Sequence, residues 1–415
     1  MQEKNMIQLI NNLTIHLTQT STQKVGTLAI RDKKIYFEYN KDFLKTGIEL
    51  SPYKLPLKAG LFRCDDDTFD GLWGLFNDSL PDGWGRLLMD RHLMRLGMNP
   101  ETLSPLDRLA YVGSHAMGAL TYEPEQEVEG TFETIVLDDL AESSADILEG
   151  SSEALLDELL SLNGSSAGAR PKVLVQISDD QKQIIHGRQK LKEGFTQWMV
   201  KFASSVDSHE VGAVEYAYSL MAREAGLDMP RTALLEGKKG RYFAIERFDR
   251  VGDKRVHMHS VAGLTHSDFR FPTLDYDDLL ALALHLTKNV QEVEKVFRLA
   301  CFNLFTHNRD DHAKNFSFVM DEKGTWSFSP VYDVTFSYGI DGGHSTMYMG
   351  EGKNPSSEHL LELAKKHGLK KGSTIVDEVR EASIKWREFA NVAGVSGKSI
   401  DDIEKIYKRI KNSEN

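Results

Sequence analysis

Alternating apolar and polar residues open the chain. Leu13 to Leu17, Lys24 to Ile30 and Lys33 to Tyr39 each follow a period of about two and are parted by polar turns, the pattern of β-hairpins with one buried face. Beyond residue 70 the period lengthens: a turn at Pro81-Asp82-Gly83 leads into a stretch where Leu87, Leu88, His92 and Leu96 fall on neighbouring turns of a helix. Residues 151–162 also read as helix, followed by a small-residue loop, NGSSAGARPK (163–172), and strands over 173–177, 183–187 and 195–202. Asp207 and Glu210 stand at capping-box spacing and predict a helix closed by Gly226 and Pro230, with Val211, Val214, Tyr218 and Met221 on one face. A strand over 241–248 ends at Asp249-Arg250, and a His-containing loop covers 251–275. Helices are then expected over 276–289, 291–307, 356–367, 374–392 and 399–411, interrupted by a loop-and-strand region at 308–345. There is no internal repeat. Strand-rich followed by helix-rich chain predicts an α+β fold.

Length and composition narrow the classes. At 415 residues the chain has room for two or three packed units, and 40% hydrophobic with 27% charged residues excludes a disordered chain or a disulfide scaffold. No apolar run approaches the roughly 18 residues of a membrane span, and the start, MQEKNMIQLINNL, lacks the apolar block of a signal peptide. Cys64 and Cys301 are the only cysteines, so structural zinc and disulfides are not expected and the chain reads as cytoplasmic. The net charge of −12 is local: no Lys or Arg occurs between Arg108 and Arg170, where thirteen acidic residues fall, and the rest holds 50 basic against 49 acidic residues. A broad basic face for binding nucleic acid unaided is therefore not expected.

The richest chemistry lies in Asn308-Arg309-Asp310-Asp311-His312-Ala313-Lys314-Asn315. Asp310 and Asn315 are five positions apart and Asp333 follows eighteen later, across a predicted strand pair, which is the order of a catalytic carboxylate and two Mg²⁺ ligands in protein kinases. Upstream, Lys201 is the one charge in an apolar strand and Glu215 follows on the next helix, as in the kinase lysine–glutamate clamp. Gly164, Gly168 and the alanines of the 163–172 loop would let backbone N–H groups approach phosphates, although no Walker-type Gly-Lys-Ser/Thr follows. Each part has a bland counterpart: a polar turn, a strand-end lysine with a surface glutamate, a flexible connector. Their joint order favours chemistry. Two rivals remain: a metallo-phosphohydrolase built on Asp310, Asp311 and His312, and a kinase-shaped module that binds without catalysis. His257, His259 and His266 fit no usual ligand spacing and read as a solvated loop, while Trp73, Phe76 and Trp84 read as a small core.

The motifs FNDSLPDGWGR (76–86), SSAGARPK (165–172), WMVKF (198–202), EYAYSLMAREAGLDMP (215–230), ERFDR (246–250), DDHAKNFSF (310–318) and SPVYDV (329–334) together resemble the HipA-type serine/threonine kinases, the toxins of HipA–HipB toxin–antitoxin systems. The resemblance implies a bilobal protein-kinase-like α+β fold with an N-terminal β-rich subdomain and an all-helical C-lobe. It divides the chain into a β-rich subdomain (1–122), an N-lobe with acidic lead-in and phosphate loop (123–275) and a C-lobe with the catalytic loop (276–415). It implies Asp310 as catalytic base, Asn315 and Asp333 as Mg²⁺ ligands, and Lys201, clamped by Glu215, on the ATP phosphates. Glu246, Arg247 and Phe248 would form the edge that meets adenine. Ala167, Gly168, Ala169, Arg170, Pro171 and Lys172 would form the phosphate loop, and His312, Lys314, Tyr332 and Asp333 would line the nucleotide. Autophosphorylation would fall on Ser165, or on Ser166, and would switch the kinase off. The implied protein substrate is a translation component such as an aminoacyl-tRNA synthetase, and the implied partner is a HipB-like helix-turn-helix antitoxin that makes any DNA contact indirect. No membrane is implied.

Overall fold

The computed structural model describes residues 9–126, 135–166, 168–204 and 207–413. Its first sheet arises where the period-two pattern is strongest. Asn12–Thr18 (β1), Thr22–Arg31 (β2), Lys34–Tyr39 (β3) and Leu61–Arg63 (β4) form an antiparallel meander, and Leu120–Glu123 (β5) closes it beside β1, giving the order β4-β3-β2-β1-β5. Leu13, Ile15, Leu17, Leu28 and Phe37 turn to one face. The short helices Lys41–Leu44 (α1) and Gly74–Asn77 (α2) follow, then Gly83–Arg95 (α3) and Pro105–Val112 (α4). Trp73, Phe76 and Trp84 are core residues as expected, with the Phe37 and Phe76 rings 5.1 Å apart. Sequence reasoning passed over α4, although Ser104-Pro105 with Asp107 at the third position is a capping box: the Asp107 amide donates to Ser104 Oγ at 3.2 Å and the Ser104 amide returns to Asp107 Oδ2 at 2.8 Å.

The acidic segment, within its described part, is a structural clamp. It forms Leu137–Glu149 (α5) and Leu156–Asn163 (α6). Asp157 pairs with His92 at 2.7 Å and Arg95 at 3.0 Å on α3, while Asp138 accepts the Tyr242 hydroxyl at 2.7 Å and the Lys238 amide at 2.8 Å.

The second sheet is wholly antiparallel, in the order β7-β6-β8-β10-β9, from Lys172–Ser178 (β6), Ile184–His186 (β7), Phe195–Lys201 (β8), Thr232–Glu236 (β9) and Arg241–Glu246 (β10). Val211–Glu224 (α7) packs on it. The helix starts later than the capping-box spacing suggests. Asp207 does not cap it; its carboxylate accepts Arg170 Nε and Nη2 at 3.1 and 3.0 Å. Glu210 instead holds Ser396 and Ser399 of the C-terminal region.

Arg250–Val251 (β11) and Lys254–Arg255 (β12) make a small hairpin, and His257–Ser260 (β13) leads into Val261–Thr265 (α8), Leu274–Asp275 (β14), Tyr276–Thr287 (α9) and Val290–Phe305 (α10). Ser317–Met320 (β15) and Trp326–Phe328 (β16) join β13 in a three-stranded sheet, and Thr346–Met347 (β17) pairs in parallel with β14. Helices Ser357–Lys366 (α11), Gly372–Ser383 (α12), Trp386–Val392 (α13) and Gly397–Ser413 (α14) complete the chain, the expected 374–392 helix being broken at Ile384-Lys385. The part from Tyr276 onward is thus rich in helix but also carries β15, β16 and β17, so the all-helical expectation is corrected.

A second correction concerns the histidines. They are buried, not solvated, because β13 pairs with β15 and draws them beneath the first domain. His259 Nδ1 lies 2.6 Å from Asp78 and His266 Nδ1 lies 2.9 Å from Asp66. Among the described residues no helix is long and apolar enough to cross a membrane.

Candidate active site

Three side chains from separate elements meet at one ammonium group. Lys201, the last residue of β8, donates from Nζ to Glu215 Oε1 on α7 and to Asp333 Oδ1 beyond β16, each at 2.6 Å. Register delivers the lysine: on β8 it stands opposite Lys172 of β6 and Phe243 of β10. Asp333 sits in left-handed backbone at φ 55°, a conformation Asp tolerates better than most residues and one that clusters at functional sites. Burial opposes charge on each of these groups, yet the ion pairs outweigh it at two of them. The Asp333 carboxyl is held well below the usual carboxylate range by Lys201, and Lys201 is held well above the usual lysine range by Asp333 and Glu215. At Glu215 burial prevails and pushes the carboxyl up. Lys172 is also buried, and burial together with the Lys201 charge brings its ammonium down to about 8.

The catalytic-loop candidates follow α10. Asp310 is exposed, its carboxylate 3.9 Å from His312 Nε2. Partial burial, together with the Asp333 and Asp311 charges, raises its pKa against the His312 charge that lowers it. Asn315 Nδ2 donates to the Asp310 carbonyl at 2.7 Å. That bond fixes the turn Ala313–Asn315 and leaves the amide oxygen as the free acceptor.

Asp311 points the other way. It is buried and accepts four hydrogen bonds: from the Tyr276 hydroxyl at 2.9 Å, His344 Nδ1 at 3.0 Å, and the Ser345 and Thr346 amides at 2.8 and 3.2 Å. It anchors the loop rather than joining Asp310 and His312. Among the described residues no three His, Cys, Asp or Glu side chains are placed to share a metal ion.

The small-residue loop is tucked in. Ser165 Oγ accepts the Met117 amide at 2.7 Å, Ser166 Oγ donates to Asn163 Oδ1 at 2.9 Å, and both serines are 1% exposed. Ala167 lies outside the described residues. The Gly168 amide donates to Asp82, Ala169 is exposed, Arg170 is committed to Asp207, and the Pro171 carbonyl accepts the Phe202 amide at 2.9 Å. Lys314 reaches the same Asp82 carboxylate and lies 4.4 Å over the Phe269 ring, beside which the His312 ring stands at 5.4 Å. Tyr332 donates to the Lys314 carbonyl at 2.8 Å and stands 5.7 Å from the Phe248 ring.

Two expected nucleotide contacts have other partners in their side chains. Glu246 pairs with Arg231 at 2.5 Å, and Arg247 chelates buried Asp249 at 2.9 and 2.8 Å, so neither side chain is left for a nucleotide as placed. Sequence reasoning missed Asp82, read as a turn, and Asp249, whose carboxylate also takes the Gly118 amide at 2.8 Å and Arg250 at 2.6 Å. A separate cavity of about 190 Å³ is lined by Arg188, Lys190, Arg247, Arg250 and Arg255, and by none of Lys201, Asp310, Asn315 or Asp333.

Residues 164–386 match the family model of the HipA-like C-terminal domain, and residues 16–123 that of the HipA N-terminal domain. A Sinorhizobium fredii protein named as a candidate kinase, Y4dM, is 26% identical over 211 residues, which are 46% of this chain and 50% of that protein. A candidate kinase of Haemophilus influenzae is 25% identical over 134 residues, 29% of this chain and 39% of its own length. The chain thus spans half or less of the length of these curated relatives. A chain from the Shewanella oneidensis MR-1 toxin–antitoxin complex of HipA, HipB and operator DNA aligns with a TM-score of 0.69 at 17% identity, covering 96% of this chain and 95% of that one. That likeness speaks for a shared mixed α/β fold with antiparallel sheets.

Proposed function

Because the chain belongs to the HipA family, we propose that it is an ATP- and Mg²⁺-dependent protein serine/threonine kinase with a bilobal body. The observation that carries the reading is Lys201 joined at 2.6 Å to both Glu215 and Asp333. The arrangement is the one a phosphotransferase needs for a lysine–glutamate clamp beside a metal-binding carboxylate, and it joins positions 132 residues apart. The division into 1–122, 123–275 and 276–415 goes with it.

In this reading Lys201, kept cationic by its two carboxylates, meets the ATP phosphates, with Lys172 beneath them. The Asn315 amide oxygen and the Asp333 carboxylate suit Mg²⁺, a hard cation that prefers oxygen donors; when bound it neutralises phosphate charge. Asp310 would receive the proton of the acceptor hydroxyl as its oxygen bonds the γ-phosphorus and the bond from that phosphorus to the β–γ bridging oxygen breaks, releasing ADP, and its raised pKa makes it a better base than an ordinary aspartate. Positioning and charge neutralisation supply most of the rate. The substrate is a translation component, with an aminoacyl-tRNA synthetase the first to test, so the cellular effect is arrest of growth in the cytoplasm. A HipB-like helix-turn-helix antitoxin is the partner, and DNA is reached through it. Ser165 and Ser166 are buried, so phosphorylation of either requires the loop to leave its seat, and nearly two added negative charges would keep it out.

Incubation with γ-labelled ATP tests the reading. Label on protein serine or threonine, lost in Asp310→Asn, is expected, with phosphate in the peptide that carries Ser165 and Ser166. Free phosphate without labelled protein would return the hydrolase, and nucleotide binding without either product would leave a non-catalytic module.

A further inference from the structure

Asp82 holds the N-cap position of α3, where an aspartate ordinarily accepts a hydrogen bond from the first turn of its own helix. It makes no such bond. Its carboxylate instead leaves the first domain: Oδ1 accepts the Gly168 amide in the small-residue loop and Oδ2 accepts Lys314 in the catalytic loop. The next two residues extend the contact. The Trp84 amide donates to the Gly168 carbonyl at 3.1 Å. Gly83, at φ 44°, lies so close that a Cβ there would stand 2.7 Å from the Gly168 carbonyl oxygen and 2.8 Å from the Ala169 Cα. The Asp82 and Lys314 side chains are 19% and 11% exposed, so the bridge is shielded from water.

These groups have the chemistry of a phosphate seat. A loop amide and an ammonium are the donors that a kinase offers to its nucleotide, and here one carboxylate from another part of the chain ties them together. We propose that Asp82 is a positioning residue of the nucleotide site, a latch supplied by the N-terminal domain that holds the Gly168 loop over the catalytic loop by bridging the Gly168 amide and Lys314. Its bearing on nucleotide rests on the phosphotransferase reading above; the latch itself does not. Lys314 is held from two sides, by Asp82 and by the Phe269 ring, so it is aimed before any ligand arrives. Burial works against ionisation of Asp82, but the Lys314 charge and the Gly168 amide hold its carboxyl below the usual value, so the latch stays charged at neutral pH.

Hydrogen exchange read by mass spectrometry on the full chain tests it, with wild type beside Asp82→Ala and Asp82→Asn. In Asp82→Ala, exchange in the peptide covering 164–170 should rise about tenfold or more while the core strands β8 and β10 stay protected. Asp82→Asn, which keeps an oxygen for the Gly168 amide but loses the charge on Lys314, should fall between. The KM for ATP should rise about tenfold in Asp82→Ala with kcat within about threefold, because the seat is loosened and the base is untouched. Unchanged exchange in the loop, or exchange that rises equally across α3 and the sheets, overturns the latch and leaves Asp82 a fold-supporting residue. A kcat loss with KM unchanged also overturns it. Loop-selective exchange in a protein that transfers no phosphate in either form sustains the latch and rejects the kinase reading, so the two failures are separable.

Discussion

Replacing Lys201 by methionine removes the one cation between two carboxylates. Each of the Glu215 and Asp333 oxygens lies 2.6 Å from the same Nζ, so they stand no more than about 5 Å apart. At an effective permittivity of about 20, two unit charges at that separation repel by about 3 kcal/mol, a repulsion present in wild type as well but there offset by the Lys201 charge. The Asp333 side chain is 37% exposed, so water screens part of this, and about 1–2 kcal/mol is the working value. Glu215, 3% exposed and already raised by burial, is the group that yields by taking up a proton. With the Lys201 charge and hydrogen bond that lowered it gone, its pKa should climb further in the variant. The sign follows from linkage: a carboxyl whose folded pKa lies above its unfolded value contributes most below the unfolded pKa and loses that contribution as pH rises through the folded one. Lys201→Met should therefore be less destabilised at pH 5 than at pH 8. Wild type runs oppositely through Asp333, whose depressed pKa gives stability present above the unfolded carboxylate value and lost on acidification below it. Urea unfolding of wild type, K201M and the double variant K201M/E215Q at both pH values checks this. The double variant should recover most of the loss at pH 8. An equal cost at both pH values, with no recovery on adding E215Q, would refute the idea that these three groups act as one electrostatic unit.

Two further outcomes are expected. Asp311→Ala takes the acceptor from the Tyr276 hydroxyl, His344, the buried Thr346 amide and the half-buried Ser345 amide and should cost at least about 3 kcal/mol in urea unfolding, with Asp311→Asn losing about half as much; a cost below about 1 kcal/mol would show that the loop finds its place without that anchor. Lys172, with its ammonium at about 8, should take up part of a proton when a nucleotide triphosphate binds at pH 8.5, read by calorimetry in two buffers of different ionisation enthalpy; Lys172→Met should abolish the uptake, and none in wild type would place the phosphates elsewhere.

Legibility followed range along the chain. The hairpins of β1 to β3 were readable because alternation and turn residues act over a few positions, and Lys201 with Glu215 because a lone charge in an apolar strand before a helix is a local anomaly. The strand pair between Asn315 and Asp333 was readable because apolar runs parted by a polar turn act over a few positions. Misreadings came where a distant partner overruled local grammar. Asp207 has the spacing of a cap, but Arg170 offers its carboxylate a charged bidentate partner. The 251–275 histidines look like loop residues until Asp78 and Asp66, nearly two hundred positions earlier, receive them.

By itself, then, the sequence determined the order of β-rich and helix-rich chain and the segment richest in candidate chemistry, since those depend on periodicity and composition. Tertiary structure alone decided that Asp310 stays exposed while Asp311 turns inward, that Lys201 serves two carboxylates, and that Asp82 reaches loops 86 and 232 residues away. Side-chain partners at such separations are chosen by how sheets and helices pack, and no short stretch of chain records which way that packing turns a carboxylate.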